Sequence, residues 1–328
     1  MARLIGGIIL LALIVAGVLL TWPQLAGVAR YPGIAQAVAL RGLLVAGAAA
    51  LVVVLLVLSI LIRPARGFLA GAIIIVCLFA AANAAIVYLR GITDKSLPAA
   101  QDGQITVLAW NTEGDAVSAE TIATLAVEQG ADVIALPETT NGHALEIAAR
   151  LADKGSPMTT LTLDDGSDLR ARSTSLLVSA ALGEYRQDPD AGGTAVVPSL
   201  VAVPVSGQGP RIVAAHAVSP TARDLGSWNS DLDWIASQCA VPGTIIAGDF
   251  NATVDHLGDQ HGCTDAAQAE GAAGVATWPT DLPALLGAPI DHVMTSQGWA
   301  PVAVSVVTRL DAAGSDHRPI VATVAPAA

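Results

Sequence analysis

Three long runs of apolar residues lie within the first 90 positions of the chain. The runs are Leu4–Leu20, Gly42–Ile62 and Gly67–Leu89, and none of them contains a charged residue. A helix needs about 20 apolar residues to cross a bilayer, and about 17 is the lower limit. The pattern therefore predicts three transmembrane helices. The first run is alternatively a cleaved signal peptide, although Thr21-Trp22-Pro23 after it is a poor cleavage site.

After residue 103 the pattern changes to short strands and amphipathic helices. Apolar residues recur every three or four positions in Asp224–Cys239, and Ser118–Glu128 and His143–Leu151 have similar helical spacing. Short runs rich in β-branched residues predict the following strands: Gln104–Trp110, Ala131–Leu136, Ser173–Ser179, Ala195–Val205, Arg211–Ala217, Thr244–Phe250, Pro289–Thr295, Val302–Val307 and Pro319–Val324. About half of the connections are too short for a parallel crossover. We therefore predict an α/β fold with a mixed sheet, or two packed sheets with helices outside.

Charge divides the chain at the same place. Residues 1–90 contain six arginines and no acidic residue, so they carry +6, and because the whole chain carries −12, the remainder carries −18. We predict a membrane domain over residues 1–90, a linker over residues 91–103, and a water-soluble domain over residues 104–328.

Two weak signals concern the side of the membrane. The short loop Arg63–Arg66 carries two arginines, which favours the cytoplasm and places the large C-terminal domain outside. Cys239 and Cys263 are the two cysteines of that domain. They either form a disulfide, which would suit an oxidising compartment, or are two unpaired core residues.

Polar residues follow the ends of several predicted strands. The clearest case is Gly248-Asp249-Phe250-Asn251, where side chains two positions apart on an extended chain point the same way. Comparable residues at other strand ends are Asn111, Glu138, His216, Asp291, His292, Asp316 and His317. Each alone is most simply a turn former or a hydrogen-bonded core histidine. Their recurrence at six strand ends indicates one shared site.

The chemistry of this set points to metal-assisted hydrolysis. Carboxylate and carboxamide oxygens suit Mg²⁺ or Mn²⁺ better than zinc. Such an ion stabilises negative charge when a phosphoryl group is displaced. The sequence offers no serine or cysteine in a convincing setting for a nucleophile. It therefore predicts direct attack of water on a phosphate ester.

The ordered motifs resemble those of the endonuclease/exonuclease/phosphatase superfamily, which has the deoxyribonuclease-I-like fold. The resemblance covers about residues 104–324 and rests on Trp110-Asn111, Pro137-Glu138, Ala215-His216, Gly248–Asn251, Ile290-Asp291-His292 and Ser315-Asp316-His317-Arg318-Pro319. It implies a four-layer sandwich of two packed mixed sheets between helices. It also implies Glu138 as the main metal ligand, with Asn111 beside it and Asp316 at or near the metal.

The resemblance further implies the roles of the remaining residues. Asp249 is expected to orient or deprotonate the attacking water, and Asn251 to hold the phosphate. His317 is expected to contact the phosphate with Asp291 as its orienting partner. His216 matches the family's second histidine, which is a phosphate contact or a general acid.

Three positions depart from the family pattern. Glu113 stands where some relatives have aspartate, so it supports the metal site indirectly at most. His292 receives no role. Arg172, near a strand that lacks the family's usual asparagine, is either a surface charge, which we favour, or a substrate contact.

The negative charge of the water-soluble part and its predicted membrane anchor limit the classes of substrate that we expect. High-affinity duplex nucleic acid is disfavoured because DNA binding draws on basic side chains, and residues 91–328 carry −18. Anchoring raises the effective concentration of the site toward lipid head groups. We therefore expect a multi-pass protein of the cell membrane that hydrolyses a phospholipid or lipid-linked phosphate. A metal-dependent nuclease and a non-catalytic membrane-anchored binding module are the alternatives.

Overall fold

The N-terminal part is a bundle of long apolar helices. In this computed structural model, which describes residues 1–93, 97–258 and 262–327, the bundle comprises α1 (Ala2–Thr21), a short α2 (Ile34–Ala39), α3 (Arg41–Leu61) and α4 (Arg66–Leu89). Helix α4 packs against both α1 and α3. The three long helices are long and apolar enough to cross a membrane, and most of their side chains are exposed. The three predicted helices are thereby confirmed in position and character.

One end of the bundle faces the C-terminal part of the chain. Arg41, at the start of α3, donates to the backbone oxygen of Thr21 and to the side chain of Asn83. The end of α1, the start of α3 and the end of α4 therefore lie together. The turn Arg63–Ala65 joins α3 to α4 at the opposite end.

Within the described residues, the C-terminal part contains two six-stranded mixed sheets. The strands are β1 (Ile105–Ala109), β2 (Val133–Pro137), β3 (Met158–Asp164), β4 (Ser173–Ser179), β5 (Tyr185–Gln187), β6 (Leu200–Pro204), β7 (Arg211–His216), β8 (Thr244–Asp249), β9 (Thr264–Asp265), β10 (Asp291–Thr295), β11 (Trp299–Val306) and β12 (Ile320–Pro326). Sheet A has the order β11-β12-β1-β2-β4-β3, and sheet B has the order β5-β6-β7-β8-β10-β9.

The two sheets pack face to face between helices. Apolar side chains from both sheets form the central core. A second core lies between sheet A and helices α5 (Ala119–Gln129) and α6 (Asn141–Asp153), and a third lies between sheet B and α7 (Leu225–Cys239). This is the four-layer arrangement that the family resemblance implies, and of the two folds that the strand pattern left open it is the one with two packed sheets. Cys239 and Cys263 form a disulfide with Cα atoms 5.2 Å apart, which settles the alternative left open by the sequence.

Each sheet has one parallel pair at its centre, and these pairs define one edge of the sandwich. Strand β1 runs parallel to β2, and β7 runs parallel to β8. The carboxyl ends of parallel strands lie at the same edge of a sheet. Strands β10 and β12 are antiparallel to β8 and β1, so their amino ends reach the same edge. The predicted site residues follow these strand ends, so we call this edge the active-site edge.

The bundle contacts loops that leave this edge. Gln36 of α2 donates to the backbone oxygen of Pro220, in the loop after β7. Arg41 and Arg90 bind Asp255, in the short helix α8 (Val254–Leu257) after β8. Gly42 of α3 packs so tightly on the segment before β10 that an added Cβ would lie 1.8 Å from the oxygen of Leu285.

The start of the predicted linker also contacts the C-terminal part. The backbone NH groups of Ala273 and Gly274 donate to the oxygens of Arg90 and Gly91. Thr93 donates to the oxygen of Gly271 through both its backbone and its hydroxyl. The end of α4 therefore joins the C-terminal part through close backbone contacts.

Candidate active site

The active-site edge brings together the polar residues that follow the central strands. Asn111 follows β1, Glu138 follows β2, His216 ends β7 and Asp249 ends β8. In the register of sheet B, Asp249 lies directly opposite both His216 and Asp291. Residues opposite each other on neighbouring strands project from the same face of a sheet. The register thus explains why residues far apart in sequence meet here.

Asp249 is buried and held in one orientation. Its Oδ1 accepts the backbone NH of Asn251 at 2.8 Å, and its Oδ2 accepts the amide of Asn111 at 3.0 Å. Burial, followed by the charge of Asp291, raises the pKa of Asp249 to about 7. Gly248 is required beside it, because a Cβ would lie 2.0 Å from the oxygen of Ala215 and φ is +142°.

His317 and Asp291 form a hydrogen-bonded pair. The Nδ1 of His317 lies 2.9 Å from Oδ2 of Asp291, and its Nε2 lies 3.8 Å from both Oδ2 of Asp249 and Oδ1 of Asp316. Although burial opposes protonation, Asp291 and Asp249 raise the pKa of His317 to about 10. The ring is therefore a cation near neutral pH, with Nε2–H directed toward the carboxylates.

Glu138 lies on the other side of Asp249. Its Oε1 accepts the amide of Asn111 at 3.1 Å, so this one amide joins Glu138 to Asp249. Burial raises the pKa of Glu138, and the charges of Asp316 and Glu113 add to the effect. Glu113 does not point away from the site, since its Oε2 accepts the backbone NH of Asp316 at 2.8 Å.

Backbone strain is concentrated at this edge. Among the described residues, the non-glycine residues with positive φ are Glu113, Asp115, Glu138 and Asn251. Such conformations are costly for most side chains and persist where the surrounding structure enforces them. All four lie in loops that leave the central strands at the active-site edge.

The donor set fits a hard divalent cation. Four carboxylates, those of Glu138, Asp249, Asp291 and Asp316, surround a single cationic ring, and in the described part of the chain no lysine or arginine is paired with them. Oδ1 of Asp291 is buried and has no hydrogen-bond partner among the described residues. This excess of carboxylate oxygens is what Mg²⁺ or Mn²⁺ would neutralise.

Ligand atoms of Asp249, Asp291 and His317 lie within 4.8 Å of one another, a spacing at which they could hold a metal ion. A protonated imidazole has no lone pair for a metal ion, and the Nδ1 of His317 is already committed to Asp291. The carboxylate oxygens on the Glu138 side are therefore the better ligands. Asp316 is the most exposed of these groups, and its Oδ2 accepts the indole NH of Trp278 at 2.8 Å.

The other histidines differ in their surroundings. His216 is buried with its Nε2 3.9 Å from Oε1 of Glu138 and its Nδ1 unpartnered among the described residues. Burial lowers the pKa of His216 to about 3. His292, to which the sequence assigns no role, binds Asp265 and the oxygen of Ala252 away from this cluster.

Sequence reasoning missed several supporting residues. Trp278 reaches Asp316 from a segment without a recognisable motif. The hydroxyl of Ser315 donates to the oxygen of Asn111 and accepts the NH of His317, so it fixes the loop before β12. Ser315 is the first residue of the Ser-Asp-His-Arg-Pro motif, and that motif is the sequence signal that could have identified it. Arg172 is an exposed partner of Asp165, which supports its assignment as a surface charge.

Comparison with known proteins gives one family match and several structural matches. A model described as "Endonuclease/Exonuclease/phosphatase family" matches residues 108–317. No curated protein sequence matches the chain. The crystal structure of a humanized D. rerio TDP2 is 19% identical, with a TM-score of 0.53, covering 68% of this chain and 99% of that one.

Two further solved structures have the same architecture. D. rerio TDP2 complexed with a single-strand DNA product is 18% identical, with a TM-score of 0.53 over 68% of this chain and 99% of that one. An endonuclease/exonuclease/phosphatase from Beutenbergia cavernae is 18% identical, with a TM-score of 0.51 over 68% of this chain and 72% of that one. At these identities the matches establish a shared fold.

Proposed function

The chain belongs to the endonuclease/exonuclease/phosphatase family, and we propose that it is a membrane-anchored, divalent-metal-dependent phosphoesterase. Its substrate on this proposal is a phospholipid or a lipid-linked phosphate. The observation that supports the proposal is that the polar cluster and the contacts with the apolar bundle lie at the same edge of the sandwich. The buried cluster of Asp249, Asp291 and His317 lies there, and the loops that leave the same edge are bound by the apolar bundle.

Each residue of the site has its own role in the proposed reaction. Asp249 accepts a proton from the attacking water, whose oxygen forms a bond to phosphorus while the bond to the leaving oxygen breaks. Asn251 and Asn111 fix the direction of the Asp249 carboxylate through their hydrogen bonds to it. His317, oriented by Asp291, donates Nε2–H to a phosphoryl oxygen. His216, which burial keeps neutral, contacts the phosphate through a ring N–H rather than protonating the leaving group.

Glu138, Asn111 and Asp316 are the residues proposed to hold Mg²⁺ or Mn²⁺. When bound, such an ion stabilises negative charge on the phosphoryl oxygens. Asn111 directs its Nδ2 to Glu138 and Asp249, and its Oδ1 accepts the NH of Glu113. Its function with the ion in place is therefore to orient Glu138, or to ligate through Oδ1 after a local rearrangement.

The position of the bundle supports a substrate at the bilayer surface. Pro220 lies four residues after His216, and Asp255 lies four residues after Asn251, so each contact with the bundle is within about 14 Å of a site residue along the chain. The segment between α1 and α3 also exposes Trp22 and Tyr31. Such aromatic side chains are typical of the membrane interface.

We propose that the catalytic domain lies on the extracytoplasmic side. The arginines on the domain side of the bundle are occupied, since Arg30 binds Asp233, and Arg41 and Arg90 bind Asp255. They therefore do not oppose an orientation in which the loop with Arg63 and Arg66 faces the cytoplasm. The disulfide between Cys239 and Cys263 also suits an oxidising compartment.

A nuclease is the second candidate. The D. rerio TDP2 structure with a single-strand DNA product has the same fold, which favours it. The charge of −18 on residues 91–328 favours the lipid substrate instead, because nucleic-acid affinity depends on basic groups. The third candidate, a non-catalytic binding module, is disfavoured because the residues to which the sequence assigns a role lie together at one edge of the sandwich: Asn111, Glu138, His216, Asp249, Asn251, Asp291, Asp316 and His317.

Hydrolysis of bis-p-nitrophenyl phosphate by the full chain in detergent, with Mg²⁺ or Mn²⁺, tests the catalytic assignment. Asp249→Ala and His317→Ala should each abolish metal-dependent hydrolysis. Asp153→Ala, an exposed carboxylate at the end of α6, is the control and should keep the wild-type rate. Equal rates for wild type and both site variants would overturn the assignment.

A further inference from the structure

Asp255 is a buried carboxylate outside the proposed metal site, and the bundle supplies most of its partners. It lies in α8 with 1% of its side chain exposed. Arg41 binds it through Nε and Nη2 at 2.8 and 2.7 Å, and Arg90 binds it through Nη1 and Nη2 at 2.8 and 2.7 Å. Gln24 adds a fifth hydrogen bond at 2.8 Å. Two bidentate guanidinium pairs on one carboxylate make a directional, rigid contact.

The long helices of the bundle converge on this carboxylate. Arg41 begins α3 and is itself buried, and its remaining donors bind Asn83 of α4 and the oxygen of Thr21 at the end of α1. Arg90 directly follows α4. A buried charge is costly unless it is fully paired, so this cluster is stable only when the bundle and α8 are docked in this geometry.

A chain of contacts leads from Asp255 to the active site. His256 donates from Nε2 to the oxygen of Ala35 in the bundle, and its ring meets the edge of the Trp228 ring with centroids 5.2 Å apart. The Nε1 of Trp228 donates to the oxygen of Asn251 at 3.0 Å. Asn251 has a φ of +46°, and its backbone NH binds Oδ1 of Asp249. Three contacts therefore lead from the bundle to Asn251, which orients Asp249.

We propose that Asp255 is a positioning residue and that Arg41 and Arg90 act through it to hold the segment Asn251–Leu257 in its active geometry. On this proposal, which rests on the phosphoesterase function, the bundle is a structural part of the active site as well as an anchor. A shift of about 1 Å in a catalytic group can lower a rate by about 100-fold, so a modest loosening of α8 is enough to matter.

Hydrogen exchange of the full chain in lipid nanodiscs tests whether the bundle holds the segment Asn251–Leu257 in place. This measurement does not depend on activity. Arg41→Gln should accelerate amide exchange in residues 250–257 by about tenfold or more while leaving β1 and β2 unchanged. Arg41→Lys, which keeps the charge but loses the bidentate fork, should have a smaller effect and also guards against a variant that fails to fold. Asp233→Asn is the matched control, because it removes an exposed ion pair of the same junction. Unchanged exchange in Arg41→Gln would overturn the proposal.

The predicted effect on catalysis is measured with bis-p-nitrophenyl phosphate and the same proteins. Arg41→Gln should lower kcat by about 10- to 100-fold with KM nearly unchanged, Arg41→Lys should recover part of that loss, and Asp233→Asn should match wild type. Wild-type kcat in Arg41→Gln, together with abolished activity in Asp249→Ala, would overturn the positioning role alone. Equal rates in wild type and Asp249→Ala would instead overturn the proposed function, and hydrogen exchange would then decide whether the bundle holds α8.

Discussion

The stability of the junction between the bundle and the C-terminal part of the chain depends on pH through His256, and the size of this dependence can be calculated. Its Nδ1 accepts the NH of Thr253, so Nε2 carries the hydrogen that is donated to the oxygen of Ala35. Burial lowers the pKa of His256 from its ordinary 6.5 to about 4, although Asp255 acts in the opposite direction. The folded protein thus keeps this ring neutral where the unfolded chain would protonate it.

This difference predicts a loss of stability in acid. Because the unfolded state binds the extra proton, the free energy of unfolding falls as pH falls below 6.5 and continues to fall until pH reaches about 4. One pKa unit corresponds to about 1.4 kcal/mol, so the full effect is about 3 kcal/mol. The residue is almost completely buried, so screening by solvent reduces this figure little.

Denaturant unfolding of wild type and His256→Gln in detergent, followed by tryptophan fluorescence, measures the effect. Glutamine keeps a donor and an acceptor but does not titrate. Trp228 reports directly because its ring contacts that of His256. Between pH 7 and pH 4.5 the wild type should lose about 2 to 3 kcal/mol more than the variant. Parallel losses in the two proteins would refute the assignment of a buried neutral histidine.

Three further predictions follow from the site and the core. Asp291→Asn should lower kcat by about 100-fold or more with little change in folding, because His317 loses the carboxylate that orients it; an unchanged kcat in steady-state assays would contradict this. Trp278→Phe should raise the Mg²⁺ concentration for half-maximal activity by about tenfold, since Asp316 loses its hydrogen bond, and a metal titration with an unshifted midpoint would argue against that ligand. Reducing the disulfide of Cys239, which closes a separation of 24 residues, should lower the free energy of unfolding by about 3 kcal/mol, and identical denaturation curves with and without reductant would disprove the contribution.

The sequence predicts the active-site edge well because local pattern and strand order determine it. Asp249 and Asn251 follow a buried strand, and the parallel pairing of β7 with β8 brings His216 to the same edge. The apolar runs of the bundle are equally local signals. The predicted strand at Ala195–Val205 is shortened to Leu200–Pro204, because Pro198 lacks the NH that a central position in the sheet would use.

The contacts between the bundle and Asp255 could not be predicted from the sequence because they are long-range. Asp255 lies 214 residues from Arg41 and 165 from Arg90, and no motif marks the segment that contains it. In the sequence, Arg41 and Arg90 contribute only to the positive charge of residues 1–90. Strand β3 was also missed, because its threonine-rich edge pattern is only half-buried and gives a weak apolar signal.

The most direct test of the central claim is a comparison of two substrates with the full chain reconstituted in lipid vesicles. Vesicles containing phosphatidic acid and phosphatidylglycerol are incubated with Mg²⁺ in the presence of a single-stranded oligonucleotide, and the products of both are quantified for wild type and Asp249→Ala. The account predicts hydrolysis of lipid phosphate esters that depends on Asp249, with the oligonucleotide cleaved more slowly. Cleavage of the oligonucleotide that depends on Asp249 while both lipids stay intact would contradict it.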